Sequence, residues 1–276
     1  MTNLIEKIGV RLHDYGKGDP EQQLARVAGD GWKGIQLAFV KAIEGVNEVE
    51  DITPQLVKKV KNSLDKNELS LPVLGAYVEL GMYDEKIRRQ EADKFIEQIS
   101  AAAKMGAGCI GSETTAFTKQ PEVTHEEALH ALYRSISEIL PHAQALGVTV
   151  AVEPVHYHTL STPELAKKLL DDMACKNLKV IFDPVNLLPF EEVKKQHDLW
   201  KRSIDLLGDQ IAAVHMKGVR RKGKRLVSCL LTESIVDMPF VFDLLKALPQ
   251  PLTVLREEAV PDVAKEDIAF LNRMAF

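Results

Sequence analysis

The sequence predicts an α/β chain folded as a single (β/α)8 barrel, and three observations carry that expectation. Short apolar runs rich in β-branched residues alternate with longer stretches of helical period along all 276 residues. That alternation is the sequence form of repeated βα units. It passes through eight cycles of about 34 residues each, close to the roughly 31 per unit of a typical barrel. The first strand is followed by LHDYGKGDP, which lacks the GxGxxG phosphate loop of a doubly wound sheet. No Pro-, Gly- or Ser-rich linker interrupts the chain, so one domain spanning residues 1–276 is expected.

Taken in order, the first strand is expected at residues 8–12, followed by a helix at 20–27 opened by Pro20. The second strand, 34–38, leads to a helix at 54–64, where Thr53 caps and Pro54 suits the first turn. Strand 71–77 precedes a long helix at 84–105, and strand 108–112 precedes helical sequence at 124–146, with Glu126 and Glu127 just after Thr124. Strand 148–152 is followed by a helix at 163–173, introduced by Thr162, Pro163 and Glu164. The last three pairs are strand 180–182 with helix 192–207, strand 211–215 with helix 239–248, and strand 252–255 with helix 263–274.

Composition narrows the function classes. Hydrophobic residues at 45% and charged residues at 27% describe an ordinary globular chain. A net charge of -5 offers no broad basic field for a phosphate backbone, so no nucleic-acid partner is expected. Cys109, Cys175 and Cys229 are scattered without metal-finger spacing, which fits a reducing, cytoplasmic location. The opening MTNLIEKIGVRLHDYG mixes charges into its apolar stretch, unlike an export signal. Apolar runs fall well short of the roughly 20 residues of a membrane helix, so no membrane role is expected.

In a parallel barrel, polar side chains at the C-terminal strand ends project into a shared mouth. The last four strands finish VAVEPVHYH, VIFDPVN, AAVHMKG and TVLREEA. Each is apolar until a carboxylate or imidazole appears: Glu153, Asp183, His215, and Glu257 or Glu258. Any one of these suits a strand-end cap, but four in register would repel and desolvate one another unless a cation neutralised them. A divalent metal ion meets that need. Carboxylates with one imidazole form a hard to borderline donor set, suited to Mn, Mg, Co or Zn. Alternation along the strand sends Glu257 and Glu258 to opposite faces, so only one enters the mouth.

The series AVEPV, FDPVN, HMKG and LREEA resembles the xylose-isomerase-like TIM barrel superfamily of sugar isomerases and epimerases, keto-acid isomerases, inosose dehydratases and apurinic endonucleases. DGWKGIQLAF (residues 30–39) and MGAGCIGSETT (residues 105–115) resemble its second and fourth strands, with Gln36 where a glutamate is common. The resemblance implies Glu153, Asp183, His215 and Glu257 as ligands of one divalent metal, with Glu258 in reserve for the fourth. It implies an isomerase or epimerase of a sugar or sugar phosphate, in which Glu153 and Glu257 exchange protons at carbon beside a carbonyl. An inosose-type dehydratase or keto-acid isomerase would use the same site. A dimer or tetramer is also a family expectation.

Further groups are expected to line the mouth and meet a sugar or polyol: His13 and Glu113 at other strand ends, His156 after Glu153, Asn186, and Lys217 two residues beyond His215. His158 is a weaker candidate. Arg256 faces away if Glu257 faces in, and Trp32 and Tyr77 read as packing residues. The basic run KGVRRKGKR (residues 217–225) suits either a phosphate or carboxylate contact or a solvated loop. Two positions depart from the resembling families: Asn186 stands where many epimerases carry histidine, and Gly218 replaces the acid of HxKD. An endonuclease needs several metals and more histidines than the third and fourth strands supply. A barrel that binds sugar without catalysis is the remaining alternative.

Overall fold

The computed structural model describes residues 5–276; residues 1–4, the start of the predicted domain, lie outside the described residues. Eight parallel strands close into a barrel: β1 (Ile5–Arg11), β2 (Gly34–Leu37), β3 (Ser70–Gly75), β4 (Cys109–Glu113), β5 (Val150–Glu153), β6 (Leu178–Phe182), β7 (Ile211–Met216) and β10 (Leu252–Arg256). Closure comes from β1, which pairs with β10 on one side and β2 on the other. The expected strands are all present, displaced by a few residues at their ends.

Helices cover the outside, and their starts follow the cap chemistry of the sequence. Thr53, Thr124 and Thr162 accept hydrogen bonds from the backbone N–H of Leu56, Glu127 and Leu165. Asp19, Asp84 and Asp237 do the same for helices Pro20–Asp30, Glu85–Met105 and Met238–Lys246. The helix expected at 192–207 divides into a 3₁₀ segment, Phe190–Lys195, and an α-helix, Gln196–Leu207.

The unit after β7 departs from the expected pattern. Instead of a plain loop, the basic run forms an antiparallel hairpin, β8 (Gly218–Lys222) and β9 (Arg225–Cys229). Its two-residue turn puts Gly223 at φ 61, the left-handed first position of a type II′ turn. Apolar alternation fails to announce these strands because Val219, Leu226 and Val227 are diluted by five basic residues.

Two layers of core position the site. A large cluster fills the space between strands and helices, with Trp32, Phe95, Phe182, Trp200 and Phe242 among its buried members. A separate cluster of Val73, Cys109, Ala151, Ile181, Ala213 and Leu255 draws one residue from each of six barrel strands. Because the side-chain period of a strand is two, the residue two places after each of the last four emerges just above that layer. Those residues are Glu153, Asp183, His215 and Glu257.

The intervening residue points outward. Arg256 is buried against the closing helix Ala264–Ala275, where its Nε donates to Asp267 Oδ2 at 2.8 Å.

Candidate active site

Glu153, Asp183 and His215 are buried, and each offers a ligand atom within 4.8 Å of the others. Glu257 joins them from β10, its Oε1 3.3 Å from His215 Nδ1, while Glu153 Oε2 lies 3.0 Å from the same nitrogen. Two carboxylates therefore converge on one ring nitrogen. Glu258 takes a left-handed backbone, φ 55, and is half-buried outside this cluster.

Supporting contacts fix the orientation of each acid. Asp183 Oδ1 accepts from the backbone N–H of Val185 and Asn186 at 2.7 and 2.9 Å. The Asn186 side chain donates to Glu153 Oε1 at 2.6 Å. Lys217 Nζ lies 3.0 Å from Asp183 Oδ2 and 3.1 Å from Glu257 Oε2.

Glu113 ends β4 in register with Glu153, and His158 Nε2 is 3.9 Å from its carboxylate. His13, in the 3₁₀ turn Leu12–Tyr15, places its ring edge-on to Tyr77 at 5.5 Å. His156 is turned away from the acids: its backbone N–H and Nδ1 both face Asn186 O, at 2.8 and 3.0 Å. Asn186, whose side chain donates to Glu153, links it to the cluster.

Sequence reasoning missed three members of the mouth. Arg11 ends β1, and its Nη1 lies 3.4 Å from Glu257 Oε1. The strand was expected to run to residue 12, with His13 as its polar end; in fact it stops at Arg11 and the chain turns, so both side chains reach the mouth. Tyr77, read as packing, lines the cavity beside Glu113, Glu153 and Glu257 and receives the Gln36 amide at 3.1 Å. Its backbone is left-handed at φ 52, unusual for a bulky side chain. Lys41 places its ammonium 3.2 Å from the Tyr77 ring centre. Trp32 is a packing residue, buried with its indole N–H donating to Tyr15.

Four acids thus face cations supplied by the chain itself: Arg11, Lys41 and Lys217. These side chains supply part of the positive charge that the sequence reading assigned to a divalent metal ion, beside a buried Glu153, Asp183 and His215 group that could still hold one. Burial opposes charge on Glu257, but His215, Lys217 and Arg11 outweigh it and hold the carboxyl below the usual range. Burial likewise opposes charge on His215, yet Glu257 and Glu153 raise it to about 9. Glu113 moves the other way, up to about 7, through burial and then the charges of Glu153 and Glu257. Burial, with Arg11 and Lys41, lowers His13 to about 3 and keeps it neutral.

The donor set fits a divalent ion. Asp183 Oδ2 and both ring nitrogens of His215 are buried without a hydrogen bond. Lys217 and Glu153 approach them at 3.0 Å, close enough for ion pairing but misaligned for hydrogen bonding. Carboxylate lone pairs on Glu153, Asp183 and Glu257 are therefore available to a metal, and a His215 nitrogen joins them on loss of its proton. The cavity beside them, lined by Gln36, Tyr77, Glu113, Glu153 and Glu257, has a volume of about 10 Å³, which is room for about one ion or water. A hollow of about 680 Å³ lies among the outer helices near Tyr83 and Tyr133, and size alone does not mark the site.

No curated protein matches the chain by sequence. Among solved structures, a D-tagatose 3-epimerase-like protein superposes with a TM-score of 0.79 at 16% identity, covering 97% of this chain and 96% of the other. A D-psicose 3-epimerase crystallised in the presence of D-fructose gives 0.74 at 16% identity, with coverage of 98% and 99%. A xylose isomerase-like TIM barrel protein from Mycobacterium smegmatis, in complex with magnesium, gives 0.73 at 14%, with coverage of 98% and 96%. At these identities the likeness is one of fold. The family assignment comes from the sequence match over residues 24–274: the chain belongs to the xylose isomerase-like TIM barrel family.

Proposed function

We propose that this protein is a divalent-metal-dependent isomerase or epimerase of a small sugar or sugar phosphate, acting by proton transfer at carbon beside a carbonyl. The observation that carries the reading is the pair Glu153 and Glu257, which reach His215 Nδ1 from two different strands at 3.0 and 3.3 Å. Two carboxylates flanking one site can remove a proton from one face of a carbon and return one from the other. The names of the superposed epimerases support this reaction class.

Glu153, Asp183, His215 and Glu257 would hold the metal, whether Mn, Mg, Co or Zn. When bound, it supplies Lewis-acid stabilisation of negative charge on the substrate oxygens. Either Glu153 or Glu257 takes the proton from the carbon; the pair of that C–H bond becomes a carbon–carbon double bond and the carbonyl π pair moves onto its oxygen, giving an enediolate. The other carboxyl returns a proton to the carbon. Asn186 orients Glu153 through its 2.6 Å hydrogen bond. Lys217 and neutral His13 meet substrate oxygens, Glu113 accepts from a hydroxyl, and His156 fixes the loop that carries Asn186.

The test is incubation of the metal-loaded protein with ketoses and ketose phosphates in heavy water, followed by NMR. Deuterium should enter the carbon beside the carbonyl, and Glu153→Gln and Glu257→Gln should each lower the rate by about 10²–10⁴. Metal analysis of Asp183→Asn and His215→Ala should show its loss. If the loaded wild type incorporates no deuterium into any ketose, the reading is wrong.

A further inference from the structure

Lys217 puts an ammonium group where the metal's own ligands converge. Its Nζ bridges Asp183 Oδ2 and Glu257 Oε2, and its side chain is only 8% exposed. Asp183 Oδ1 is already committed to two backbone N–H groups, so Oδ2 is the oxygen Asp183 has left to offer a metal. That oxygen and one oxygen of Glu257 are both drawn onto Lys217. Arg11, 3.4 Å from the other oxygen of Glu257, holds the carboxylate from the opposite side. Glu257 accordingly stands outside the mutual 4.8 Å group formed by Glu153, Asp183 and His215.

We infer that Lys217 is an internal cation that holds the metal's place, so that metal entry displaces its ammonium and Lys217 sets the metal affinity of the site. The inference rests on the metal centre proposed above and adds the residue that competes for it. A positive charge a few ångströms from a divalent ion, in surroundings where water is largely excluded, repels that ion strongly. An entering metal must also break the contacts of Lys217 with Asp183 and Glu257. Once released, the ammonium is left at the mouth, free to face substrate oxygens. A purely structural role has the opposite signature: without Lys217 the two carboxylates would separate and metal binding would weaken.

The experiment is Mn²⁺ titration by calorimetry of the wild type, Lys217→Met, Lys217→Gln and Asp183→Asn at one pH, with circular dichroism as the check on folding. Both Lys217 variants should bind Mn²⁺ about tenfold tighter or more than the wild type, and Asp183→Asn should lose binding. Equal or weaker binding in the two folded Lys217 variants overturns the inference and leaves the metal centre standing. Lys217→Gln keeps a hydrogen-bond donor for the acids should Lys217→Met fold poorly without metal. A second measurement is the rise in thermal midpoint on Mn²⁺ addition, which should be larger in Lys217→Gln than in the wild type; an equal or smaller rise overturns the inference. Failure of the wild type and every variant to bind Mn²⁺, Mg²⁺, Co²⁺ or Zn²⁺ overturns the metal centre and the inference with it.

Discussion

Glu113 and Glu153 stand side by side as the last register pair of β4 and β5, one partly open to solvent and the other buried. Burial and the charges of Glu153 and Glu257 raise Glu113 from 4.5 to about 7. Between those values the folded state holds a proton that the unfolded chain has released, so stability attributable to Glu113 falls as pH rises through the window. In chelator-treated protein, Glu113→Gln should therefore gain thermal stability relative to the wild type from pH 4.5 towards 7. A difference in midpoint that stays constant across this range would contradict the assignment.

Asn186 holds Glu153 Oε1 at 2.6 Å while its own backbone N–H is tied to Asp183. Removing a hydrogen bond to a charged group costs about 1.5–3 kcal/mol. For Asn186→Ala this should appear as a fall of about tenfold to a hundredfold in kcat, with KM changed much less, in the heavy-water exchange assay.

Asp267 matters to stability for a reason remote from the mouth. It pairs with Arg256, whose side chain is fully buried. Asp267→Ala would leave that guanidinium without its carboxylate, a loss of about 3–5 kcal/mol for a buried pair broken on one side. Urea unfolding should report this loss in metal-free protein; a cost below about 1 kcal/mol would mean that Arg256 finds another partner.

Two glycines of the hairpin should respond differently to alanine. A methyl group on Gly218 would lie 2.7 Å from Cys229 O and 2.8 Å from Leu230 O, both backbone atoms that no rotamer change can move. On Gly223 it would meet nothing within 4 Å. Gly223→Ala should thus cost only its left-handed backbone penalty, about 1–2 kcal/mol. Gly218→Ala carries no such penalty but a crowding cost of about 1–3 kcal/mol, by displacing the hairpin root beside Lys217. Thermal unfolding of the two variants gives the ordering directly.

Much of this arrangement was legible in the sequence because period-two alternation links fold and site. The apolar residue two places before Glu153, Asp183, His215 or Glu257 packs inside the barrel, and the alternation that turns Glu257 inward sends Arg256 out to Asp267. The counter-charges were less legible. Lys41 belongs to a short helix after β2, and Arg11 looked like part of an ordinary strand whose stopping point the sequence left a residue uncertain. Neither announces itself by pattern: Arg11 reaches Glu257 only once the barrel closes β1 against β10, and Lys41 takes its place only by packing on the Tyr77 ring. Tyr77 was misread because an aromatic at the end of an apolar strand suits packing equally well. Its left-handed backbone turns it to the mouth, and nothing in GAYVEL signals that turn.

The hairpin after β7 is joined to the strand carrying His215 by one residue, Lys217, and is stitched to the body at its root by the pairing of Val219 with Ser234 and Ile235. Its far end, Gly223 and Lys224, is exposed and bounded by the rung Lys222 and Arg225. Root and tip therefore tolerate change very differently. One residue inserted between His215 and Gly218 would swing Lys217 to the other face of its strand and unseat the root, whereas a peptide spliced between Gly223 and Lys224 would lengthen only the turn. That tip is the natural graft point for a tag, a fluorophore or a tether that must leave the mouth of the barrel undisturbed.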